Sequence, residues 1–410
     1  MDPRVTAFVP SFDAPFFQAG LAGYSDASMR IIARRQGCPF CVTEALLDRT
    51  LLAGGRGFAK ADLGELHDNV PGGEEDTPLA GQVMGSEPEE MAAAALKMIE
   101  QGKRGERAYR AIAYEGREAL ANEAASQHLR LPGGEQVGRV ASFARDSLNQ
   151  DGPMARAAEA ERTPAAGFAT IDINFACPVK KVASKARGGH WLAEPEGAIR
   201  ILERVRESVP SEVAITVKLR RSFDDTPEMA DNFARLLDAA FEVGCAWATV
   251  HARTVEQKYV GPSRWDLLRD IVRSRPNDVI FGSGDVWGAA DIFRMIAYTG
   301  VSAVSVARGC IGNPWIFRQA RAMMAGDSGG ATAPPTLAEQ RAVLLEHFRL
   351  ALSVNARARD PEHLTGRTMR KFAIRFAQFH PRAEDVRRRF IGVTSREEWE
   401  SVLAEWYSGA

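Results

Sequence analysis

Cysteine is scarce, with five in 410 residues, too few for a disulfide framework. Net charge is nearly absent: 52 basic and 53 acidic side chains leave −1. The chain as a whole is therefore not biased toward a polyanion. Any nucleic-acid surface must come from local segregation of charge. No apolar run reaches 18 residues, and residues 1–15 lack the apolar core of a signal peptide. A soluble, cytoplasmic protein with no membrane partner is expected. With 45% apolar and 26% charged residues, the composition is globular, which argues against disorder, collagen and coiled coil. The length is comfortable for two domains.

What is present is a repeat of short apolar runs, each followed by a helix-like stretch. The runs cover 16–23, 40–47, 78–85, 168–178, 213–220, 247–254, 279–286 and 301–309. Apolar or β-branched, and bounded by Gly, Pro or polar residues, they read as buried parallel strands. Between them, Ser86-Glu87-Pro88-Glu89 and Thr226-Pro227-Glu228 are helix starts. Residues 192–209, 263–273 and 288–298 are further helices. Eight strands alternating with helices predict an α/β fold, a (β/α)8 TIM barrel.

Two segments break the repeat. Residues 103–167 hold ten Lys/Arg and nine Asp/Glu in two Ala-rich helical pieces. They read as an insertion between the third helix and the fourth strand. Without it, residues 10–320 come to roughly 245, near the usual barrel length of about 250. The second break is the Gly/Pro-rich stretch 325–335, expected to be a flexible linker. The reading is then a barrel over 1–325, a linker over 326–335 and a separate helical domain over 336–410. That domain carries eight basic residues against two acidic ones between Arg367 and Arg389, ending in Arg387, Arg388 and Arg389. Phe372, Phe376, Phe379 and His380 lie among them. The mixture suits nucleic acid, although the Phe spacing also fits a helix core.

In closed barrels the active site lies at the C-terminal strand ends. There the chain places Gln82, Asn174, Cys177, Lys218 and His251, then Ser283-Gly284-Asp285 and Ala307-Arg308. Glycines in the last two turns let backbone N–H groups approach a phosphate, and Arg308 adds charge. Lys218 could hold an anionic ring. The set suits a phosphorylated cofactor with an electron-accepting ring. Cys38-Pro39-Phe40-Cys41 is a lone CxxC with no second pair, so buried thiols are expected there and no metal.

These residues fall into motifs that resemble the tRNA-dihydrouridine synthases, flavin enzymes that reduce a uracil ring in tRNA. The matching stretches are 21–30, Thr43-Glu44-Ala45 and Gln82-Val83-Met84-Gly85. The most specific is Asp172-Ile173-Asn174-Phe175-Ala176-Cys177-Pro178, continuing to Val182. Val217-Lys218-Leu219-Arg220, 250–259, Gly284-Asp285 and 312–317 follow in order. The resemblance implies FMN as cofactor and NADPH as reductant. It makes Gln82, Lys218 and His251 flavin contacts, and places Ser283, Gly284, Asp285, Ala307 and Arg308 in phosphate turns. It makes Asn174 substrate-facing and Cys177 the acid. Arg253, Gln257, Lys258 and Tyr259 match a loop that faces tRNA, and the basic tail would hold the RNA backbone.

The chemistry agrees with that set. Reducing the C5–C6 bond of uracil needs a hydride at C6 and a proton at C5, and a thiol, with an ordinary pKa of about 8.5, can carry that proton. The target base must leave its stack to be reached. The chain departs from the pattern at Gly20-Leu21 for Pro-Met, Ala176 for Gly, Ser283 for Asn, 188–192 for a small apolar run and Ser305 to Arg308 in strand eight. His190 is a second candidate proton donor. Two alternatives stand beside the main reading: a flavin-dependent reductase of free pyrimidines, and a tRNA-binding paralogue with altered catalysis.

Overall fold

A computed structural model describes residues 1–53, 74–100, 102, 167–179, 188–356 and 358–408. Its centre is a closed barrel of parallel strands. They are β1 (Phe16–Gln18), β2 (Cys41–Val42), β3 (Leu46–Leu47), β4 (Leu79–Met84), β5 (Thr170–Phe175), β6 (Ala214–Arg220), β7 (Ala248–His251), β8 (Ile280–Ser283) and β9 (Ala303–Val306). The β1–β9 and β2–β4 pairings close the ring. β2 and β3 pair with the first and last parts of β4, so they share one position and the barrel has eight. Each expected apolar run contributes to the barrel over part of its length, and the run 40–47 supplies two short strands. The expected insertion over 103–167 lies outside the described residues except at Gly167.

Alternation along the strands sorts the core. On β5, Ile171, Ile173 and Phe175 face the surrounding helices and join the large apolar core. Asp172 and Asn174, between them, point into the barrel. The barrel's lower end is dry: Phe12, Phe17, Phe40, Trp247 and Phe281 stack there, with the helix Pro3–Phe8 contributing Val5 beneath them. The charged side chains of the interior, Asp172, Lys218 and Arg220, stand above this layer, while Thr170 adds a buried hydroxyl at its level. Helix starts hold as expected; Thr226 accepts a hydrogen bond from the Met229 amide, with Pro227 in the first turn.

The tail helices Leu337–Val354, Pro361–Phe376, Ala383–Ile391 and Arg396–Trp406 share the barrel's core. Trp315 meets Phe376 and Phe379 edge-on, and Tyr24 meets Phe372. Gly312 has φ +67°, and a side chain there would run into Arg375. Phe372 and Phe376 are thus core residues, and the aromatic part of the nucleic-acid reading does not hold for them. Their spacing of four places them on one buried helix face, while the arginines take the other faces. The Gly/Pro-rich stretch before the tail carries a short helix, Ser328–Thr332, capped by Asp327. Gln319 and Gln340 donate to the carbonyls of Ala333 and Pro335, so the stretch is pinned at its C-terminal end.

His347 lies at this seam, fully buried, its ring 4.6 Å from that of Phe372. Neither ring nitrogen meets a protein partner among the described residues. Burial pushes its pKa down to about 4, helped by Lys371 and opposed by Asp26. The unfolded chain binds this proton at about 6.5, so the fold loses stability as pH falls from there toward 4. Between pH 7 and pH 5 the loss from this group is about 2 kcal/mol. Urea unfolding of the wild type and His347→Phe at both pH values checks this; the difference between the two pH values should shrink by about 2 kcal/mol in the variant.

Candidate active site

The upper mouth of the barrel opens into a cavity of about 410 Å³, within the usual range of small-molecule sites. Its walls hold Gln82, Asn174, Cys177, Lys218, His251, Ser283, Gly284, Asp285, Ala307 and Arg308. Every residue expected to bind a cofactor or supply the acid therefore reaches one space. Tyr259 joins them, and its exposed ring flanks Arg308 at 5.2 Å. Cys177 is the one cysteine of five that is not buried.

The floor is a chain of hydrogen bonds. Thr216 Oγ1 donates to Asp172 Oδ1 at 2.7 Å, and Gln82 Nε2 donates to Asp172 Oδ2 at 2.6 Å. Asn174 Nδ2 donates to Gln82 Oε1 at 2.8 Å, and the Ala176 amide donates to Asn174 Oδ1 at 2.9 Å. The loop bearing Cys177 is fixed on its other side too. Arg220 Nε donates to the Ala176 carbonyl at 2.9 Å, and the Gly189 amide to the Cys177 carbonyl at 2.9 Å. Gly20 lies so close to β2 that a Cβ would come 2.2 Å from the Thr43 carbonyl oxygen. The glycine at that position therefore permits a close approach that a side chain would block.

The mouth is electropositive. Burial lowers Lys218 to about 8, with Arg220 pushing the same way and Asp172 and Cys177 opposing. Burial also pushes the Asp172 carboxyl up, while bonds from Thr216 and Gln82 and the Lys218 charge pull it back. His251 is driven well below its ordinary range, first by burial and then by Lys218, Arg220, Arg253 and Arg308. It is neutral at pH 7, and its Nδ1 has no partner among the described residues. Gly284 (φ +117°) and Asp285 (φ 54°) form a left-handed turn, and a side chain at Gly284 would strike Ser263 Oγ.

Other expected residues lie elsewhere. Arg253 was placed on an RNA-facing loop, but only 3% of it is exposed. It clamps Asp285 at 2.7 Å and the Gly261 carbonyl at 2.6 Å, bracing the loop from within. Gln257 Oε1 accepts from the Thr254 amide and from Arg221, so it too is spent on loop structure. Lys258 is exposed at φ 51°. Arg387, Arg388 and Arg389 are exposed on the helix Ala383–Ile391, paired with Glu384, Asp385 and Glu405. His190 packs on Phe223 and does not line the cavity. Residues 180–182 of the longest motif lie outside the described residues. The Cys38 and Cys41 sulfurs are buried 3.9 Å apart, and no cluster of three metal-binding side chains forms among the described residues. No described helix is long and apolar enough to cross a membrane.

Arg220 and Trp287 line the cavity without having been singled out. Arg220 was findable, since it stands two residues beyond Lys218 on β6 and so shares its face. Trp287 stands just past the left-handed turn, and no sequence signal marks it.

A closed parallel barrel with a cation-lined pocket at its C-terminal mouth defines the class: a (β/α)8 barrel of enzyme type. The dihydrouridine synthase (Dus) family model matches residues 148–406, and the chain belongs to that family. It is 31% identical over 238 residues to a probable tRNA-dihydrouridine synthase of Mycobacterium tuberculosis (strain ATCC 25618 / H37Rv), covering 57% of this chain and 58% of that protein. It is 34% identical over 182 residues to the tRNA-dihydrouridine(16) synthase of Cupriavidus necator, covering 44% of this chain and 55% of the relative. The chain thus spans somewhat over half the length of the curated relatives it matches.

Lys218 carries a charge the unliganded fold would rather not hold. Its folded pKa of about 8 lies below its unfolded 10.5. The charged form therefore costs stability below pH 8, and the cost fades as pH rises toward 10.5. Because the side chain is partly open to the cavity, the cost is set at about 1–2 kcal/mol. Lys218→Met should raise the stability of the cofactor-free protein by that amount at pH 7 and by little at pH 10.5. Denaturant titrations at the two pH values check it.

Proposed function

We propose that this protein reduces the C5–C6 double bond of uridines in tRNA to dihydrouridine, with FMN as cofactor, NADPH as reductant and Cys177 as general acid. The observation that carries this reading is the convergence of Cys177, Asn174 and Lys218 with the turns at 283–285 and 307–308 on one cavity. The residues present fit a flavin nucleotide. His251 Nδ1 and Ser305 Oγ are buried without partners among the described residues. Lys218 brings a cation to the floor, and Gly284 backs a turn that a side chain would fill.

Gln82, Lys218 and His251 would hold the ring, with the Ser283 to Asp285 turn and Ala307-Arg308 at the phosphate. FMN, when bound, supplies the hydride for C6. Lys218 stays protonated near neutral pH and favours negative charge beside it. A neutral His251 adds a hydrogen bond without competing for that role. Asn174 orients the uracil, and Arg220 and Tyr259 narrow the entrance. The Cys177 thiol then delivers its proton to C5, from a loop held at Ala176 and Gly189. Arg387, Arg388 and Arg389 are the proposed phosphate contacts of the tail. Their exposed local ion pairs are weak enough to exchange for phosphodiesters.

Cys177→Ala should leave reduction of bound flavin by NADPH intact and slow dihydrouridine formation about 10²–10⁴-fold. A single-turnover assay with pre-reduced enzyme and unmodified tRNA reads this out. Wild-type rates in the variant would remove the thiol from the mechanism. Replacing Arg387, Arg388 and Arg389 together by Ala should weaken tRNA binding and flatten its dependence on log[salt] by up to about three units of slope. An unchanged slope would move the RNA surface elsewhere on the molecule.

A further inference from the structure

Asp172 makes no contact with the cavity's open space, yet two residues that do are oriented from it. Its Oδ2 lies 2.6 Å from Gln82 Nε2. A carboxylate oxygen accepts, so the NH₂ of Gln82 must turn toward it and Oε1 must turn away. That Oε1, 2.8 Å from Asn174, then requires the Asn174 NH₂. Asn174 Oδ1 is left facing the Ala176 amide, from which it accepts at 2.9 Å. Each amide in the series has one allowed orientation, fixed at one end by the carboxylate, which only accepts, and at the other by the Ala176 N–H, which only donates. The Ala176 amide is the last link, one residue before Cys177.

We infer that Asp172 is a positioning residue: it anchors the buried end of a hydrogen-bond relay through Gln82 and Asn174 that fixes the Cys177 loop. Thr216 steadies the carboxylate from the other side but does not set the polarity, because a hydroxyl can donate or accept. The inference rests on the reading of Cys177 as the acid only for its functional consequence. The relay itself is a statement about this chain's own side chains. A buried carboxylate at the barrel's centre is costly unless its bonds are complete. Here those bonds convert a packing liability into a directional constraint on the reactive loop.

An asparagine at 172 can accept from Gln82 only through a neutral amide oxygen. The charge-assisted bond at the buried end of the relay is lost, and the loop is anchored more weakly. Asp172→Asn should therefore raise the rate of Cys177 alkylation by iodoacetamide about fivefold, the share of one hydrogen bond. Gln82→Glu should do the same, since two carboxylates then face each other. The double variant D172N/Q82E restores a donor facing an acceptor with the partners exchanged. It should return labelling to within about twofold of wild type, and Thr216→Val should leave it near wild type. The measurement uses purified full-length protein and peptide mass spectrometry. The buried Cys245 and Cys310 report on folding in the same samples.

Wild-type labelling in both single variants would overturn the relay. So would a double variant that labels as fast as the singles. If Cys245 and Cys310 also open in D172N, and stay open in the double variant, Asp172 is only a packing residue and the inference falls. Should D172N fail to fold, Gln82→Glu against the double variant carries the same contrast. Loss of dihydrouridine formation in an enzyme that keeps this labelling pattern would count against the uridine-reducing function alone.

Discussion

A strand buried on both faces has to put its polar residues somewhere, and β5 puts them inside the barrel. Ile171, Ile173 and Phe175 satisfy the helix layer, so Asp172 and Asn174 must point inward. Inside, each needs partners, because an unpaired buried carboxylate costs several kcal/mol. The partners come from the two neighbouring strands, Gln82 from β4 and Thr216 from β6. The register that pairs Gln82 with Asp172 and Asp172 with Thr216 is therefore also the register that completes the polar network. A slip of one residue would send the polar set into the helix layer and the apolar set into the cavity.

The same division explains why the lower barrel is dry and the upper barrel charged. Phe12, Phe40, Trp247 and Phe281 fill the bottom and supply packing that does not depend on charge. Above them stand Lys218, Arg220 and Arg308, with Asp172 and Asp285 as the acidic partners. This excess of cations is unfavourable in the empty fold, as the lowered Lys218 and the neutral His251 record. An anionic ligand relieves it. Stability given up in the free protein returns as affinity, the usual trade at a binding site.

The fold was largely legible because barrel strands are short apolar runs separated by helix periodicity. The mouth residues were legible because strand ends in such a barrel face one space. What misled was the loop after β7. Arg253 follows two residues after His251, so alternation aims it inward, and there it braces Asp285 instead of meeting solvent. Gln257 reads as a polar surface residue, yet a loop closed on itself needs an acceptor for the Thr254 amide. Phe372 and Phe376 look like stacking residues only if the arginines around them are assumed to share their face. Arg220 was passed over although it repeats the position of Lys218. Spacing shows which face a residue takes, but whether a partner waits there depends on pairing distant in sequence.

The first loop, 20–25, is where these separate requirements meet. Gly20, Leu21 and Ala22 wall the cavity. The Gly23 amide donates to Glu44 Oε2 at 2.7 Å, and the Gly23 carbonyl accepts from Lys371 of the tail. The Lys371 ammonium also lies 5.1 Å from both the Tyr24 and Phe372 rings. Arg30, fully buried with Asp76, donates to the Ser25 carbonyl. One wall of the cavity is thus held by the loop between β2 and β3, by a buried ion pair and by the tail. The tail cannot shift on its seam without disturbing Lys371, and Lys371 cannot move without releasing Gly23. Docking of the helices and shaping of the pocket are in this way a single packing problem, solved where Gly23 meets a lysine from the other end of the chain.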